Sequence, residues 1–168
     1  MLQRNDTFRR GDGCSPQLNR VSLGDTQRCM RIDDFPLAWR WTQKSHAVLP
    51  TNVLATLEPI DGASAHEFYR RGENAFRDAL AENESSCRTA DAASARAWLR
   101  AFRVPADSTV TAVWNRELGL RLPWGVFVQY WDDFCYPSSD DVFVFLPSGS
   151  EAISYEHYEV FRYRSGVA

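Results

Sequence analysis

The sequence has a single lysine, Lys44, and its other positive side chains are all arginine. The formal net charge is -3, and the arginines are scattered among aspartates and glutamates. A protein that binds nucleic acid non-specifically is normally basic, so this charge argues against that class. Arginine also binds phosphate and carboxylate groups in a bidentate manner. Because the arginines are not massed, we interpret them as a compositional preference.

Long apolar runs and paired cysteines are also absent. No run of about 18 apolar residues occurs, so the sequence predicts no membrane-spanning helix. The N-terminal segment lacks the apolar region of a secretory signal. The four cysteines form no C-x-x-C pair and have no histidine at metal-ligand spacing, which argues against structural zinc: Cys14, Cys29, Cys87 and Cys135. We therefore expect free thiols, no cofactor, no metal and a cytoplasmic location.

The common catalytic motifs are missing as well. The sequence contains no G-x-x-x-x-G-K-[ST] or G-x-G-x-x-G phosphate-binding loop and no G-x-S-x-G nucleophile motif. Cys135 follows an apolar helical stripe, which predicts a core thiol rather than a nucleophile. We assign no catalytic residue on this evidence.

The composition changes at Met30. Residues 1–29 are rich in Asn, Asp, Gly, Ser and Pro and have little hydrophobic periodicity, which is typical of a disordered tail. We expect either that Met30 is the true start or that residues 1–29 are dispensable. A basic arm for an acidic partner is the functional alternative. Residues 30–168 are long enough to form a single α+β domain with its own core.

The first half of that domain is predicted to be mostly helical after an initial strand. Leu37, Trp39 and Trp41 alternate with more polar residues, which predicts a half-buried strand over residues 35–43. Residues 82–90 are predicted to form a polar loop, and a helix follows over residues 91–104.

A capping box, Ser64 to Glu67, predicts the start of a longer helix. Its apolar residues recur at spacings of three and four as far as Leu80. Gly72 lies inside this helix, where glycine costs about 1 kcal/mol relative to alanine. We therefore expect a close packing contact at Gly72.

The second half predicts strands around one helix. Residues 108–114 and 120–122 have the pattern of paired strands. Large apolar residues recur at helical spacing over residues 123–134 and predict a helix. Three short strands with tight turns follow between Val142 and Tyr163 and predict an antiparallel meander. The fold prediction is α+β, with an antiparallel sheet of about five strands and helices packed on one face.

Acidic and aromatic residues cluster in and after the predicted helix. We expect a binding site among nine of them: Tyr130, Asp132, Asp133, Tyr136, Asp140, Asp141, Glu156, His157 and Tyr158. Aromatic residues are enriched at interface hot spots, so a protein-binding or accessory role is the first hypothesis. Asp132 and Asp133 otherwise lie on the exposed side of a helix, and Asp140 or Asp141 otherwise fixes the turn before a strand.

Two other functions remain open. Paired carboxylates with a nearby histidine suit a hydrolytic or metal-assisted enzyme built on Asp132, Asp133, Asp140, Asp141 and His157. That reading requires His157 and an aspartate within hydrogen-bond distance in a concave pocket, whereas a binding module presents a flat patch. A structural homo-oligomer joined along an exposed sheet edge is the third hypothesis.

The segment Trp124-Gly-Val-Phe127…Trp131…Phe134, followed by Asp140-Asp141 and a strand, resembles a family of small uncharacterised bacterial proteins. That family has the pattern W-G-V-F-x-x-x-W-x-x-F, and the resemblance covers roughly residues 36–160. The shared positions are aromatic core positions. The family has no assigned activity, so the resemblance implies no activity and no site residues. The strand-rich tail also resembles small α+β immunity proteins that block toxins, which makes an immunity-like role our expectation for a binding module.

Overall fold

A computed structural model describes residues 30–77 and 85–167. The prediction for the tail, residues 1–29, lies outside these residues. Within the described residues, six helices lie at Trp39–Thr42 (α1), Thr51–Leu54 (α2), Gly62–Phe76 (α3), Ala92–Ala101 (α4), Trp124–Gln129 (α5) and Trp131–Phe134 (α6), after a 3-10 turn at Ile32–Asp34. The same ranges contain seven strands, at Glu58–Pro59 (β1), Ser85–Arg88 (β2), Thr109–Val113 (β3), Gly119–Pro123 (β4), Val142–Phe145 (β5), Glu151–Glu156 (β6) and Val160–Ser165 (β7).

The described strands form one antiparallel sheet in the order β1-β4-β3-β5-β6-β7-β2. The predicted α+β class and the C-terminal meander are therefore confirmed. The predicted count of five strands is too low. β1 has only two residues, and β2 lies in the predicted polar loop. Because β2 is an edge strand with mostly exposed side chains, its sequence needs no apolar alternation.

Helices cover both faces of the sheet, so the prediction of helices on one face is wrong. Alternate residues of a strand point to opposite faces. Val142 and Val144 belong to the larger core, which contains residues of α1, α2, α4, α5 and α6. Phe143 and Phe145 belong to a second cluster, in which the helical residues come from α3. Among the described helices, only α3 covers the second face, and the candidate site lies beside it.

The predicted strand at residues 35–43 is a helical segment in the structure. Phe35, Ala38 and Trp41 are buried at spacings of three, which is a helical rather than a strand period. Trp39 lies on the outer side, with its ring 4.6 Å from the ring of His46. The buried Trp41 donates its indole N–H to the backbone oxygen of Asp133 at 2.9 Å. The alternation of tryptophans was therefore a misleading signal over so short a segment.

The helix α3 is capped differently from the prediction. Asp61 is the N-cap, and its carboxylate accepts hydrogen bonds from the Ser64 backbone N–H at 2.8 Å and from the Ser64 hydroxyl at 2.9 Å. Glu67 instead pairs with Arg70 on the exposed surface. The helix ends at Phe76, and most of its predicted extension to residue 80 lies outside the described residues.

The predicted close contact at Gly72 is confirmed. Gly72 is buried, and a Cβ atom built there would lie 2.3 Å from two ring atoms of Phe143. The ring of Phe143 thus occupies the space that any larger residue at this position would need. Glycine at this position brings α3 close to β5.

The predicted helix over residues 123–134 is divided at Tyr130, whose backbone lies outside the helical region at φ -122° and ψ 25°. The two short helices that result, α5 and α6, still bury the large apolar residues on one side: Trp124, Phe127, Val128, Trp131 and Phe134. The helical period was therefore a correct signal for burial, although the sequence did not indicate the break.

Candidate functional site

The structure divides the nine predicted site residues into three groups. Tyr130, Asp132 and Asp133 lie at the junction of α5 and α6. Tyr136 and Asp140 lie in the loop before β5, next to Arg40. The remaining four, Asp141, Glu156, His157 and Tyr158, line one cavity.

The residues of the first group pack against the larger core or lie on the surface beside it. Tyr130 is half-buried against that core. Asp132 lies 3.5 Å from a guanidinium nitrogen of Arg96. Burial raises the pKa of Asp133, the negative charge of Asp132 raises it further, and Arg96 opposes both effects. None of these three residues is among the described residues that line the cavity at His157.

The second group forms a buried support for the loop. Asp140 accepts two hydrogen bonds from Arg40, at 2.5 and 3.0 Å, and a third from the Tyr136 backbone N–H at 2.8 Å. The guanidinium carbon of Arg40 lies 4.4 Å from the centre of the Tyr136 ring. Asp140 therefore fixes the turn before β5, as its position predicts, and its charge is already balanced by Arg40.

Asp141 and His157 form a hydrogen-bonded pair. One carboxylate oxygen of Asp141, Oδ1, accepts from the His157 backbone N–H at 3.0 Å and lies 2.9 Å from His157 Nδ1. With Nδ1 donating to the carboxylate, Nε2 of the neutral ring is the acceptor. The register of β5 and β6 explains the pair. Val142 lies opposite Tyr155 in this antiparallel ladder, so Asp141, directly before β5, comes close to His157, directly after β6.

The pair borders a cavity of about 250 Å³ between α3 and the sheet. Tyr69, Glu73 and Phe76 line it from α3. Phe143 lines it from β5, with its ring 5.3 Å from Tyr69 and 5.8 Å from Phe76. Tyr158 lies at the same site with 71% of its surface exposed, and its ring centre is 3.9 Å from that of His157. The site thus combines apolar walls with an exposed aromatic side chain.

Ser154 is a site residue that the sequence did not indicate. It lines the cavity from β6 but is only 1% exposed, and its hydroxyl has no hydrogen-bond partner among the described residues. A buried hydroxyl without a partner costs roughly 1–3 kcal/mol, so such groups normally meet a ligand or a water molecule. Its signal in the sequence is a small polar residue between two buried positions of β6, Ile153 and Tyr155.

The charged groups that line the cavity are mostly negative. Glu73, Asp141 and Glu156 contribute carboxylates, and no arginine or lysine is among the described residues that line it. Three arginines among the described residues contact residues that line it: Arg116 pairs with Glu73 at 3.0 Å, Arg162 pairs with Glu156 at 2.7 Å, and Arg164 lies 5.4 Å from the centre of the Phe76 ring. Asp141 is thus the carboxylate whose described partner is a histidine rather than a guanidinium group.

The pKa of Tyr69, which lines the cavity from α3, is affected by these carboxylates. Burial raises the pKa of Tyr69, and the negative charges of Glu73 and Asp141 raise it further, while Arg116 opposes them. Tyr69 therefore stays protonated at neutral pH and can donate a hydrogen bond.

A second cleft, of about 590 Å³, is lined by three arginines, Arg70, Arg71 and Arg164. Each guanidinium group already has a contact within the protein. Arg70 pairs with Glu67, Arg71 donates to the Gly149 backbone oxygen at 2.5 Å, and Arg164 lies 5.4 Å from the centre of the Phe76 ring. This cleft therefore provides weaker evidence for a ligand than the acidic cavity.

Neither cysteine within residues 30–77 and 85–167 has the chemistry of a nucleophile. Cys135 is fully buried, as predicted, and burial raises the pKa of its thiol well above the ordinary value. Burial also raises the pKa of Cys87, helped by the charge of Asp91. Both thiols stay protonated at neutral pH, and the thiolate is the reactive form.

Among the described residues, no group of three or more His, Cys, Asp or Glu side chains could hold a metal ion. Within those ranges no helix is long and apolar enough to cross a membrane. Comparisons with family models, curated proteins and solved structures find no match to this chain. The function must therefore be argued from the cavity itself.

Proposed function

We propose that the protein is a cytoplasmic binding module that recognises a partner protein through the acidic cavity and the exposed Tyr158. The observation that carries this proposal is the position of Tyr158, which is 71% exposed and packs against His157 beside the cavity. Exposed tyrosines next to a pocket are typical of interface hot spots, because they bury a large area and lose few rotamers.

The size of the cavity supports a partner side chain as the occupant. Pockets for drug-sized ligands measure about 300–1,000 Å³. The volume here, about 250 Å³, is below that range. One inserted side chain suits this space better than a dinucleotide or another large cofactor.

The charge of the site supports a basic partner surface. Three carboxylates line the cavity, and the chain as a whole has a net charge of -3. Complementary charge accelerates association and selects the partner. A small protein that blocks a basic toxin would meet this description, so an immunity-like role is the specific form of function that we propose.

The test is retention of a partner by matched variants. The full chain serves as bait in host lysate, and the bound protein is identified and titrated by calorimetry. We expect Tyr158→Ala and Asp141→Asn to weaken its binding at least tenfold. Asp132→Asn is the control, because Asp132 is an exposed acid outside the cavity. Equal binding by the wild type and the three variants, or recovery of the bait without a bound protein, would disprove the proposal.

Thermal unfolding separates loss of binding from loss of the fold. Tyr158→Ala should leave the melting temperature unchanged, because the side chain is largely exposed. Tyr136→Ala should lower it, because the Tyr136 ring contacts the buried guanidinium of Arg40, and such contacts contribute about 1–2 kcal/mol. Tyr136→Ala therefore serves as the reference for a loss of stability.

An acid–base enzyme is the second candidate, and one observation favours it. The Asp141–His157 pair holds the imidazole with Nε2 as the acceptor beside a cavity, which is the arrangement of an oriented general base. The hydroxyl of Ser154 makes no hydrogen bond to His157 in the structure, so a serine nucleophile is not activated there. The mechanism that remains for an enzyme is His157 acting as a general base that takes a proton from a water molecule.

Hydrolysis of chromogenic esters and amides tests this candidate. An enzyme built on the pair would lose at least a hundredfold in kcat in His157→Gln, because a general base contributes about 10²–10⁴-fold. Tyr158→Ala would leave kcat nearly unchanged. Turnover that is equal in the wild type and His157→Gln would remove the candidate. Light scattering of the same samples gives the mass and so tests the homo-oligomer alternative along the edge strand β2.

A further inference from the structure

We propose that the acidic cavity binds a cationic side chain, a lysine ammonium or an arginine guanidinium group, contributed by the partner. This inference rests on the proposed function and names the chemistry that the site recognises. Three features support it, namely a carboxylate with an unused oxygen, aromatic walls and a buried hydroxyl without a partner.

Asp141 is the anchor for the positive charge. Both hydrogen bonds that the carboxylate accepts within the described residues go to Oδ1. Oδ2 therefore keeps its lone pairs for a further donor. Glu73 and Glu156 add negative charge but already pair with Arg116 and Arg162. The cation adds to this network at Asp141 and does not need to displace either arginine.

The aromatic walls suit the stem and the head of such a side chain. Tyr69, Phe76 and Phe143 line the cavity, and their rings contact one another. Lysine and arginine bury their aliphatic stems on surfaces of this kind. Phe76 already attracts cations within the protein, because the guanidinium carbon of Arg162 lies 5.6 Å from its ring centre.

Ser154 provides the third contact. Its hydroxyl is buried and has no partner among the described residues, so its oxygen is an unused acceptor. An ammonium or guanidinium group carries several N–H donors and no acceptor. One donor bonds Asp141 and another bonds Ser154, which a neutral aliphatic side chain cannot do. This difference makes the site selective for charge rather than for size.

The test uses small probes and the full chain. N-acetyl-lysine methylamide and N-acetyl-arginine methylamide are titrated against ¹⁵N-labelled protein, with N-acetyl-norleucine methylamide as the neutral control. We expect saturable amide shifts at Asp141, Ser154 and His157 with at least one cationic probe, and a response at least tenfold weaker with norleucine. Equal shifts with norleucine would overturn the inference, and so would the absence of shifts with both cations.

Variants connect the shifts to the proposed contacts. Asp141→Asn and Ser154→Ala should each weaken binding of the cationic probe at least threefold, whereas Asp132→Asn should not change it. Peak dispersion in the spectrum of each variant reports whether it is folded. Glu73→Gln replaces Asp141→Asn if the latter is unfolded, because Glu73 is half-exposed and lines the same cavity. Unchanged affinity in the folded variants would overturn the inference.

The two proposals can fail separately. If the partner loses affinity for Tyr158→Ala but neither cationic probe binds, the protein is a binding module whose cavity takes another group. If the cationic probes bind but the partner ignores Tyr158→Ala and Asp141→Asn, the cavity recognises a cation and the proposed partner site is wrong.

Discussion

Arg40 and Asp140 are one hundred positions apart in the chain, and their side chains form a bidentate ion pair in the interior. The nitrogen–oxygen distances are 2.5 and 3.0 Å, and the two side chains are only 9% and 7% exposed. The pair joins α1 to the loop that precedes β5. Since Asp141 follows directly in the sequence, this buried contact also holds the position of the proposed cation anchor.

Asp140→Asn should destabilise the protein by about 3–5 kcal/mol, because it leaves the charge of Arg40 buried without a counter-charge. Urea unfolding measures the loss. The control is Asp33→Asn in the exposed pair Arg31–Asp33, where we expect at most about 1 kcal/mol. The double variant Arg40→Met/Asp140→Leu should recover most of the loss. A cost for Asp140→Asn no greater than that of the control would contradict a buried, tightly coupled pair.

Gly72→Ala should also destabilise the protein, although helix propensity alone favours alanine by about 1 kcal/mol. The new Cβ would lie 2.3 Å from the Phe143 ring, and overpacking of this kind costs about 1–3 kcal/mol. The control is Gly62→Ala, because nothing lies within 4 Å of that position. Phe143→Leu in the same chain should remove part of the conflict. A higher melting temperature for Gly72→Ala alone would show that α3 does not lie this close to β5.

The effect of Asp133→Asn on stability should be more favourable at neutral pH than at acid pH. Burial raises the pKa of Asp133, so the folded protein binds this proton more tightly than the unfolded chain does. The protonated carboxyl therefore favours the fold at low pH, and this contribution is lost as the pH rises through the raised pKa. Asparagine has no charge to bury. Melting temperatures at pH 3 and pH 7 measure the effect.

The informative quantity is the change in melting temperature from the wild type to Asp133→Asn at each pH. It should be more positive at pH 7 than at pH 3. Asp33→Asn is again the control, because Asp33 is an exposed carboxylate outside the core. A difference for Asp133→Asn that is independent of pH, or larger at pH 3, would contradict the burial of this carboxyl in the folded state.

The parts of the fold that the sequence predicted correctly depend on local patterns. The meander from Val142 onward has short strands with alternating apolar residues and tight turns, and β5, β6 and β7 pair as expected. The helix α4 begins at the predicted cap, where Asp91 accepts from the backbone N–H groups of Ala93 and Ser94. Each of these features depends on residues that are near one another in the sequence, so the sequence alone was sufficient.

The features that were missed depend on distant partners. β2 has a polar sequence, and only its pairing with β7 makes it a strand. Arg40 and Asp140 meet across a hundred positions, and no local pattern indicates an ion pair at that separation. Of the candidate site, the sequence indicated four residues but neither Ser154 nor the residues of α3: Asp141, Glu156, His157 and Tyr158. The cavity wall that was not predicted is formed by α3. The apolar face of this helix could be predicted, but its position on the sheet could not.

Phe143 connects the packing of α3 on the sheet with the shape of the cavity. Its ring fills the space beside Gly72 and also forms one wall of the acidic cavity. The width of the cavity therefore depends on the distance of closest approach between α3 and β5 as well as on the residues that line it. A chain that gained a methyl group at position 72 would widen its cavity as α3 moved outward. We expect relatives that keep the same ligand preference to change positions 72 and 143 together.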